Sequence, residues 1–297
     1  MRVWILAKRE SFENYASRRF LEEAMKQDVT LELVAPEDVD IIATKEGKKS
    51  ILLRSEVMPL PDCLIPRMGS GTTYFALAII RHLEKLGVLV LNTALAIDLA
   101  KDKLATVQML AASNIPIPKT MLAKFPLNLE LVEKEFSYPI VLKTVSGSQG
   151  KGVFLCEKRS KLKDIMDLME TSMDAKVNVI LQEFVAGSKG KDIRVIVIGG
   201  RPIGAMLRQA KKGSFKANVS NGAKASPFPL NPSIEWLSTE SARIIGLEIA
   251  GVDLLMSDGQ YFVSEVNSSP GFEGFEPATG LNIPKAIFDF IRVRVGQ

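Results

Sequence analysis

AGVDLLMSDGQYFVSEVNSSPG, residues 250–271, is the stretch whose reading decides the fold. Two apolar runs flank the turn S-D-G-Q (257–260), which predicts a β-hairpin. Asp253 lies on the first strand, and Glu265 and Asn267, spaced i and i+2 on the second, project from one face. Three oxygen ligands on adjacent strands suit hard Mg²⁺ ions. Register decides whether they can meet. A two-residue Asp258-Gly259 turn pairs residues whose numbers sum to 517, which sets Asp253 opposite Ser264 and sends Glu265 to the other face. An odd-membered loop, or an equivalent bulge at 257–261, shifts the sum to 518. Asp253 then faces Glu265, Val252 pairs with Val266 and Met256 with Phe262. Burial and metal binding agree only in the second register, which is the one expected.

Upstream, the loop TVSGSQGKGV (144–153) carries Gly147, Gly150 and Gly152 between two predicted strands, with Ser146 and Ser148 among them. Glycines allow backbone N–H groups to fold over phosphate oxygens. The loop is not a Walker A element, since no Gly-Lys-Ser/Thr and no helix start follow it. Lys143 ends the apolar run IVL just before the loop, an odd place for a lysine unless an anion needs its charge. Lys103 begins a predicted helix, and with Lys143 and the glycine loop it would form a triphosphate cradle. In LQEFV (181–185), Gln182 and Glu183 interrupt an apolar strand before the crossover AGSKG (186–190). A nucleotide base is well read at such a crossover, and Asp192 beyond it could accept from ribose hydroxyls.

The first 95 residues alternate strands (2–7, 30–35, 62–66, 88–92) with helices (13–27, 73–86), which predicts an α/β domain with a largely parallel sheet. No G-x-G-x-x-G follows the first strand, so a dinucleotide-binding Rossmann domain is disfavoured. A second unit (96–185) and a third (186–297) follow. Helices are expected at 102–114, 127–136, 160–172, 232–246 and 283–294, with strands between them. Apolar runs fall short of a signal-peptide core or a membrane span, so the protein is expected to be cytoplasmic and not membrane-bound. Cys63 and Cys156 sit in apolar segments and are expected to be buried thiols, while the lone histidine, His82, lies in a helix-period segment. Hydrolase triads and histidine metal sites are thereby disfavoured. The 38 basic and 34 acidic residues are interleaved, so no nucleic-acid tract is indicated.

The blocks IPRMGSG, DKLATVQML, VLKTVSGSQGKGV, QEFV, DIRVIVIG, AGVDLL and SEVNSSPGFEGFE follow one another as in the RimK-type α-L-glutamate ligases, which the chain resembles over its whole length. The resemblance implies an α/β and α+β architecture, the ATP-grasp fold behind an N-terminal pre-ATP-grasp domain. It also implies ATP with two Mg²⁺ ions (or Mn²⁺), and an amino acid, by default glutamate, joined to a carboxylate acceptor such as a ribosomal protein C-terminus. A homo-oligomer is expected on the same ground. Residue by residue, it implies that Lys103 and Lys143 hold phosphates, Glu183, Phe184 and Val185 frame adenine with Gln182, and Asp192 binds ribose. Asn218 and Lys216 would lie near the phosphates, and Asp253, Glu265 and Asn267 would hold the metals. Arg208 would face the reaction centre, with Arg67 a clamp for a substrate carboxylate. Two departures stand out. Lys216 replaces an arginine of the family pattern, and Asn221-Gly222-Ala223 replaces R-G-G, which removes a bidentate carboxylate partner. The nucleotide half looks intact and the substrate half altered. Extension of a small molecule or peptide on the same scaffold remains open, as does a non-catalytic ATP-binding module, although the latter should have lost its metal ligands.

Overall fold

The computed structural model describes residues 1–45, 50–145, 152–172, 178–211 and 222–296. Its first unit comprises β1 (Arg2–Leu6), α1 (Tyr15–Lys26), β2 (Thr30–Val34), β3 (Val39–Ile41), β4 (Ile51–Leu53), β5 (Cys63–Pro66), α2 (Tyr74–Lys85) and β6 (Leu89–Val90). Strands β2-β1-β5-β6 form a parallel sheet in that order. The β3–β4 hairpin was not expected from the sequence. Period-two alternation divides the sheet's faces: Trp4, Leu6 and Leu64 pack with Leu77 and Ile80 of α2, while Val3, Ile5 and Ile65 pack with Phe20 of α1.

The next elements are α3 (Ala94–Lys101), α4 (Lys103–Ala112), β7 (Thr120–Ala123), α5 (Leu129–Glu135), β8 (Ile140–Thr144), β9 (Val153–Cys156), α6 (Arg159–Ser172) and β10 (Val179–Glu183). Helix α3 was also unforeseen. It is separated from α4 by Asp102, whose carboxylate caps α4 by accepting from the N–H groups of Leu104 and Ala105. Strands β7-β10-β8-β9 form an antiparallel sheet. Ile140, Leu142, Val179 and Leu181 bury one face against Val132, Leu162 and Met166. Lys143 and Gln182, each next in sequence to a buried leucine, therefore lie on the other face.

The third group is β11 (Lys191–Ile198), β12 (Arg201–Gln209), β13 (Lys224–Phe228), α7 (Pro232–Ile245), β14 (Ile249–Ser257), β15 (Gln260–Asn267), α8 (Phe275–Thr279) and α9 (Ile283–Val295). Strands run antiparallel in the order β13-β12-β11-β14-β15. One face, with Val195, Val197, Val252 and Leu254, is covered by Ile234, Leu237 and Ile245 of α7. On the opposite face β11 presents Asp192, Arg194, Ile196 and Ile198 in turn. The apolar pair packs into the core that α9 shares with the first sheet through Ile287, Phe288 and Ile291. The polar pair is what remains for a site. Both cysteines are free and buried, as expected.

The hairpin at 249–267 departs from the expected register in an instructive way. Its turn is the two-residue one, with Asp258 at φ 51° and Gly259 at φ 76°, and near it Met256 pairs with Tyr261, not Phe262. The odd-membered loop is therefore wrong. A bulge lies farther along, between Asp253 and Leu254, where the register shifts and Ser264 is left without a counterpart. Beyond it Asp253 pairs with Glu265, Val252 with Val266 and Gly251 with Asn267, the arrangement the metal reading required.

Candidate active site

The bulge sets two carboxylates side by side. Asp253 is buried and Glu265 half-buried on the same face of β14–β15, next to Asn267. Asn267 Nδ2 donates to Gly251 O at 3.3 Å and to Asp253 Oδ2 at 3.4 Å. Across β11, Arg194 pairs directly with Asp253. Its Nε donates to Oδ1 at 2.8 Å and its Nη2 to Oδ2 at 2.7 Å. Arg208 of β12 makes the same two-pronged contact with Asp192, at 2.6 and 2.8 Å, and also reaches Asp253 Oδ2 from Nη2 at 2.9 Å. Two arginines and two aspartates thus form one buried network.

Burial alone would raise Asp253, but the Arg194 and Arg208 guanidiniums outweigh it and hold its carboxyl at about 2. Asp192 moves the other way: burial, with the adjacent Asp253 charge, outweighs Arg208 and raises it. Arg194 was missed in the sequence. The signal was present, because it follows Asp192 by two residues and so shares its face within an otherwise apolar strand.

From the second sheet, Lys143 Nζ donates to Gln182 Oε1 at 2.6 Å, and Gln182 Nε2 donates to Thr120 Oγ1 at 2.9 Å. Gln182 is almost fully buried, so here it orients the lysine. Burial pushes Lys143 below the usual lysine range, against the opposing pull of Glu265, Asp253 and Asp192 and with the help of Lys103. Lys143 is thus within electrostatic reach of Lys103 and of all three carboxylates. Lys103 Nζ approaches Thr144 O at 3.5 Å. Ser146, Gly147, Ser148, Gly150, Lys216, Asn218 and Asn221 lie outside the described residues.

The crossover after β10 is held from both sides. Lys119 N–H donates to Glu183 Oε2 at 3.3 Å, and Glu183 N–H donates to Lys119 O at 2.8 Å. Phe184 and Val185 follow, half-buried. Ser188 Oγ then accepts from Met256 N–H at 2.7 Å and donates to Met256 O at 3.1 Å. The segment runs against β14 only because residue 187 is glycine: a Cβ there would lie 2.6 Å from Met256 O.

Arg67, at the end of β5, donates from Nη2 to Pro270 O at 2.9 Å and stands 5.5 Å over the Phe272 ring. It borders a cavity of about 30 Å³, beside Ser11, Asn14 and Ser17 at the start of α1. Burial lowers its pKa to about 10. Asn92, which the sequence did not flag, ties the same region together. Its Oδ1 accepts from the N–H groups of Glu248 (2.7 Å) and Ile249 (2.9 Å), and its Nδ2 donates to Ile249 O (2.7 Å) and Ser268 O (2.9 Å).

The donor chemistry fits a divalent cation in part of this cleft. No group of three or more His, Cys, Asp or Glu is so placed among the described residues, and the oxygen donors that the hairpin gathers are Asp253, Glu265 and the amide of Asn267. Among the described residues Glu265 meets no hydrogen-bond donor, and Asn267 uses its amide nitrogen and leaves its oxygen without one, whereas both Asp253 oxygens accept from arginine.

Comparison with known proteins bears on the whole chain. The family profile described as RimK-like ATP-grasp domain matches residues 100–291, and RimK PreATP-grasp domain matches residues 1–97. The chain belongs to the RimK-like ATP-grasp family. This RimK-like ATP-grasp chain is 40% identical over 236 residues to a probable alpha-L-glutamate ligase of Legionella pneumophila, covering 78% of this chain and 77% of the relative. It is 36% identical over 296 residues to probable alpha-L-glutamate ligase 1 of Shewanella frigidimarina, covering 99% and 96%. The fold is shared with the ATP-grasp ligase PsnB complexed with minimal precursor (TM-score 0.77, 17% identity, 99% and 98% covered). D-alanine–D-alanine ligase from Bacillus anthracis complexed with ATP also shares it (TM-score 0.71, 16% identity, 99% and 97% covered). The RimK-like chain is thus an ATP-dependent ligase with the ATP-grasp fold behind a pre-ATP-grasp domain.

Proposed function

We propose that the enzyme joins an amino acid, L-glutamate by default, to the carboxylate of a protein C-terminus, such as that of a ribosomal protein, and releases ADP and phosphate. The observation that carries this reading is the convergence of Lys103, at the start of α4, and Lys143 of β8 with Asp192, Arg208, Asp253 and Glu265 of the third sheet. Such a cleft can hold a polyphosphate on cations while its carboxylates take magnesium. An acceptor carboxylate oxygen attacks the γ-phosphorus of ATP, the bond to ADP breaks, and an acyl phosphate forms. The amine nitrogen then attacks the acyl carbon, the C–O bond to phosphate breaks, and the nitrogen gives up its proton. No side chain need become covalently attached.

Lys143, oriented by Gln182, and Lys103 hold phosphate oxygens. Glu183, Phe184 and Val185 frame the base, and Asp192 takes the ribose. Arg208 stabilises charge on the reacting carboxylate, and Arg67 binds a substrate carboxylate. Asp253, Glu265 and Asn267 would hold Mg²⁺ or Mn²⁺, which neutralises phosphate charge when bound. Ser146 to Gly150, Lys216 and Asn218 belong to the phosphate side by family pattern. We take the lobes to divide near residues 95 and 185, the protein to work in the cytoplasm and the enzyme to be a homo-oligomer. In the structure no helix is long and apolar enough to cross a membrane, judged on the described residues.

Asn221 in place of the family arginine favours a second reading, ligation to a small molecule, cofactor or peptide on the same nucleotide machinery. ADP release measured with each of the twenty amino acids against protein C-termini, peptides and small carboxylates, with products read by mass spectrometry, decides between them. A protein product extended by glutamate supports the first; extension of a small acceptor only supports the second; ADP release with none refutes both.

A further inference from the structure

Asp253 already has a cation. Among the described residues both hydrogen bonds of the Arg194 side chain go to this one carboxylate, one to each oxygen, and its side chain is only 14% exposed. Arg208 differs, because it keeps a complete two-pronged pair with Asp192 whether or not it touches Asp253. Any divalent ion bound through Asp253 must therefore use an oxygen that already accepts from Arg194, sharing it or displacing the N–H. Either way the guanidinium would stand beside the incoming ion, two cations facing one carboxylate, and their repulsion favours its departure. Glu265, the carboxylate across the hairpin, meets no donor among the described residues, so the Asp253 half of the site is closed by an arginine and the Glu265 half is open.

We propose that Arg194 is an internal counter-ion that holds Asp253 until nucleotide phosphates arrive, so that metal and nucleotide enter the site together and free metal does not enter alone. The inference rests on the reading of Asp253 as a metal ligand. Phosphate oxygens supply the negative charge that lets the ion and the displaced Arg194 share the cleft. Arg194 is in this sense a positioning residue: it acts through Asp253. In the resting protein the metal-competent form is only the fraction in which Arg194 has left, and the apparent metal affinity is reduced by that fraction.

The test is titration of the full chain with Mn²⁺ alone, followed by the electron paramagnetic resonance signal of the free ion, with and without ADP. The wild type should bind Mn²⁺ weakly alone and tightly with ADP. Arg194→Gln should bind Mn²⁺ alone about tenfold more tightly than the wild type, and Arg194→Lys, which keeps the charge but not the two-pronged contact, should fall between them. A merely structural arginine would not tighten metal binding when removed. If both proteins bind Mn²⁺ with ADP but Arg194→Gln gains nothing without it, the counter-ion inference is overturned and the metal site stands. If neither binds Mn²⁺ even with ADP, the metal reading itself fails. Should Arg194→Gln not fold, the arginine Nε–H resonances of ¹⁵N-labelled wild type give the answer: Mg²⁺-ADP should shift that of Arg194 more than that of Arg208, and equal response of the two overturns the proposal.

Discussion

Lys143 ends an apolar strand, and burial has pushed its pKa below the usual lysine range although three carboxylates pull the other way. The unfolded chain therefore holds this proton more tightly than the folded one. The charged lysine costs stability at neutral pH, and that cost fades as pH rises toward the ordinary lysine value. In the proposed function its charge is kept for the phosphates of the nucleotide. Lys143→Met, similar in length and packing, should lower ADP release by about 100-fold or more, with little change in melting temperature. In the wild type the alkaline limb of kcat/KM for ATP should fall below the ordinary lysine pKa of about 10.4; a limb at that value would remove Lys143 from the phosphates. Arg67 carries the same logic to the substrate. Burial lowers it to about 10, and among the described residues the one hydrogen-bond partner of its side chain is the Pro270 carbonyl, so a carboxylate ligand would relieve it. Arg67→Met should raise KM for a carboxylate-bearing substrate by about tenfold or more while leaving ADP affinity unchanged. Calorimetric titration with ADP, set beside initial rates, separates the two effects.

At the scale of elements, two glycines carry different burdens. Gly259 has φ 76° in the hairpin turn, and a Cβ there would meet nothing within 4 Å. Gly259→Ala should therefore cost only backbone strain, about 1 kcal/mol or roughly 2–4 °C in melting temperature, with ADP affinity intact. At Gly187 the Cβ would sit 2.6 Å from Met256 O, so Gly187→Ala should lift the crossover from β14, break the Ser188–Met256 bonds and weaken nucleotide binding. Equal ADP affinity in both variants would mean that the crossover does not shape the nucleotide site. The hairpin also shows what the sequence disclosed and what it concealed. Val263 and Val266, three apart, pack into the same core cluster under α7, whereas a regular strand would turn them to opposite faces. That spacing announced a bulge, and the arithmetic of the turn alone put it in the wrong place. Helices α3 and α8 escaped for a simpler reason, since short helices give too few periods to be seen, and strand β13 escaped because KASPF is interrupted by a proline and polar residues.

Across the whole molecule, the site is assembled by elements far apart in the chain. Asn92 spends all four of its hydrogen-bonding positions joining the end of the first sheet to the start of β14 and to the loop after β15. Asn92→Ala would leave two backbone N–H groups and two carbonyls without partners, at a cost of about 1–3 kcal/mol for each one left buried and unsatisfied. The expected outcome is a lower urea midpoint with an unchanged m-value. A larger fall in kcat/KM for the acceptor than for ATP should accompany it, because Ser268 leads into the turn that Arg67 grips through Pro270. An unchanged midpoint would show that water replaces the asparagine.

The chain's own order of residues determined the parallel first sheet, the lysine before the glycine loop, the hairpin and its carboxylate pair, because each depends on spacing within a few dozen residues. It also carried the family membership, whose motifs are likewise local. Tertiary structure alone decided that Gln182 serves Lys143, that Asp253 is shared by Arg194 and Arg208, and that α9 returns to cover the first sheet. These are contacts between neighbouring strands and distant helices. Periodicity tells which face a side chain takes, but only the packing of one sheet beside another tells what that face meets.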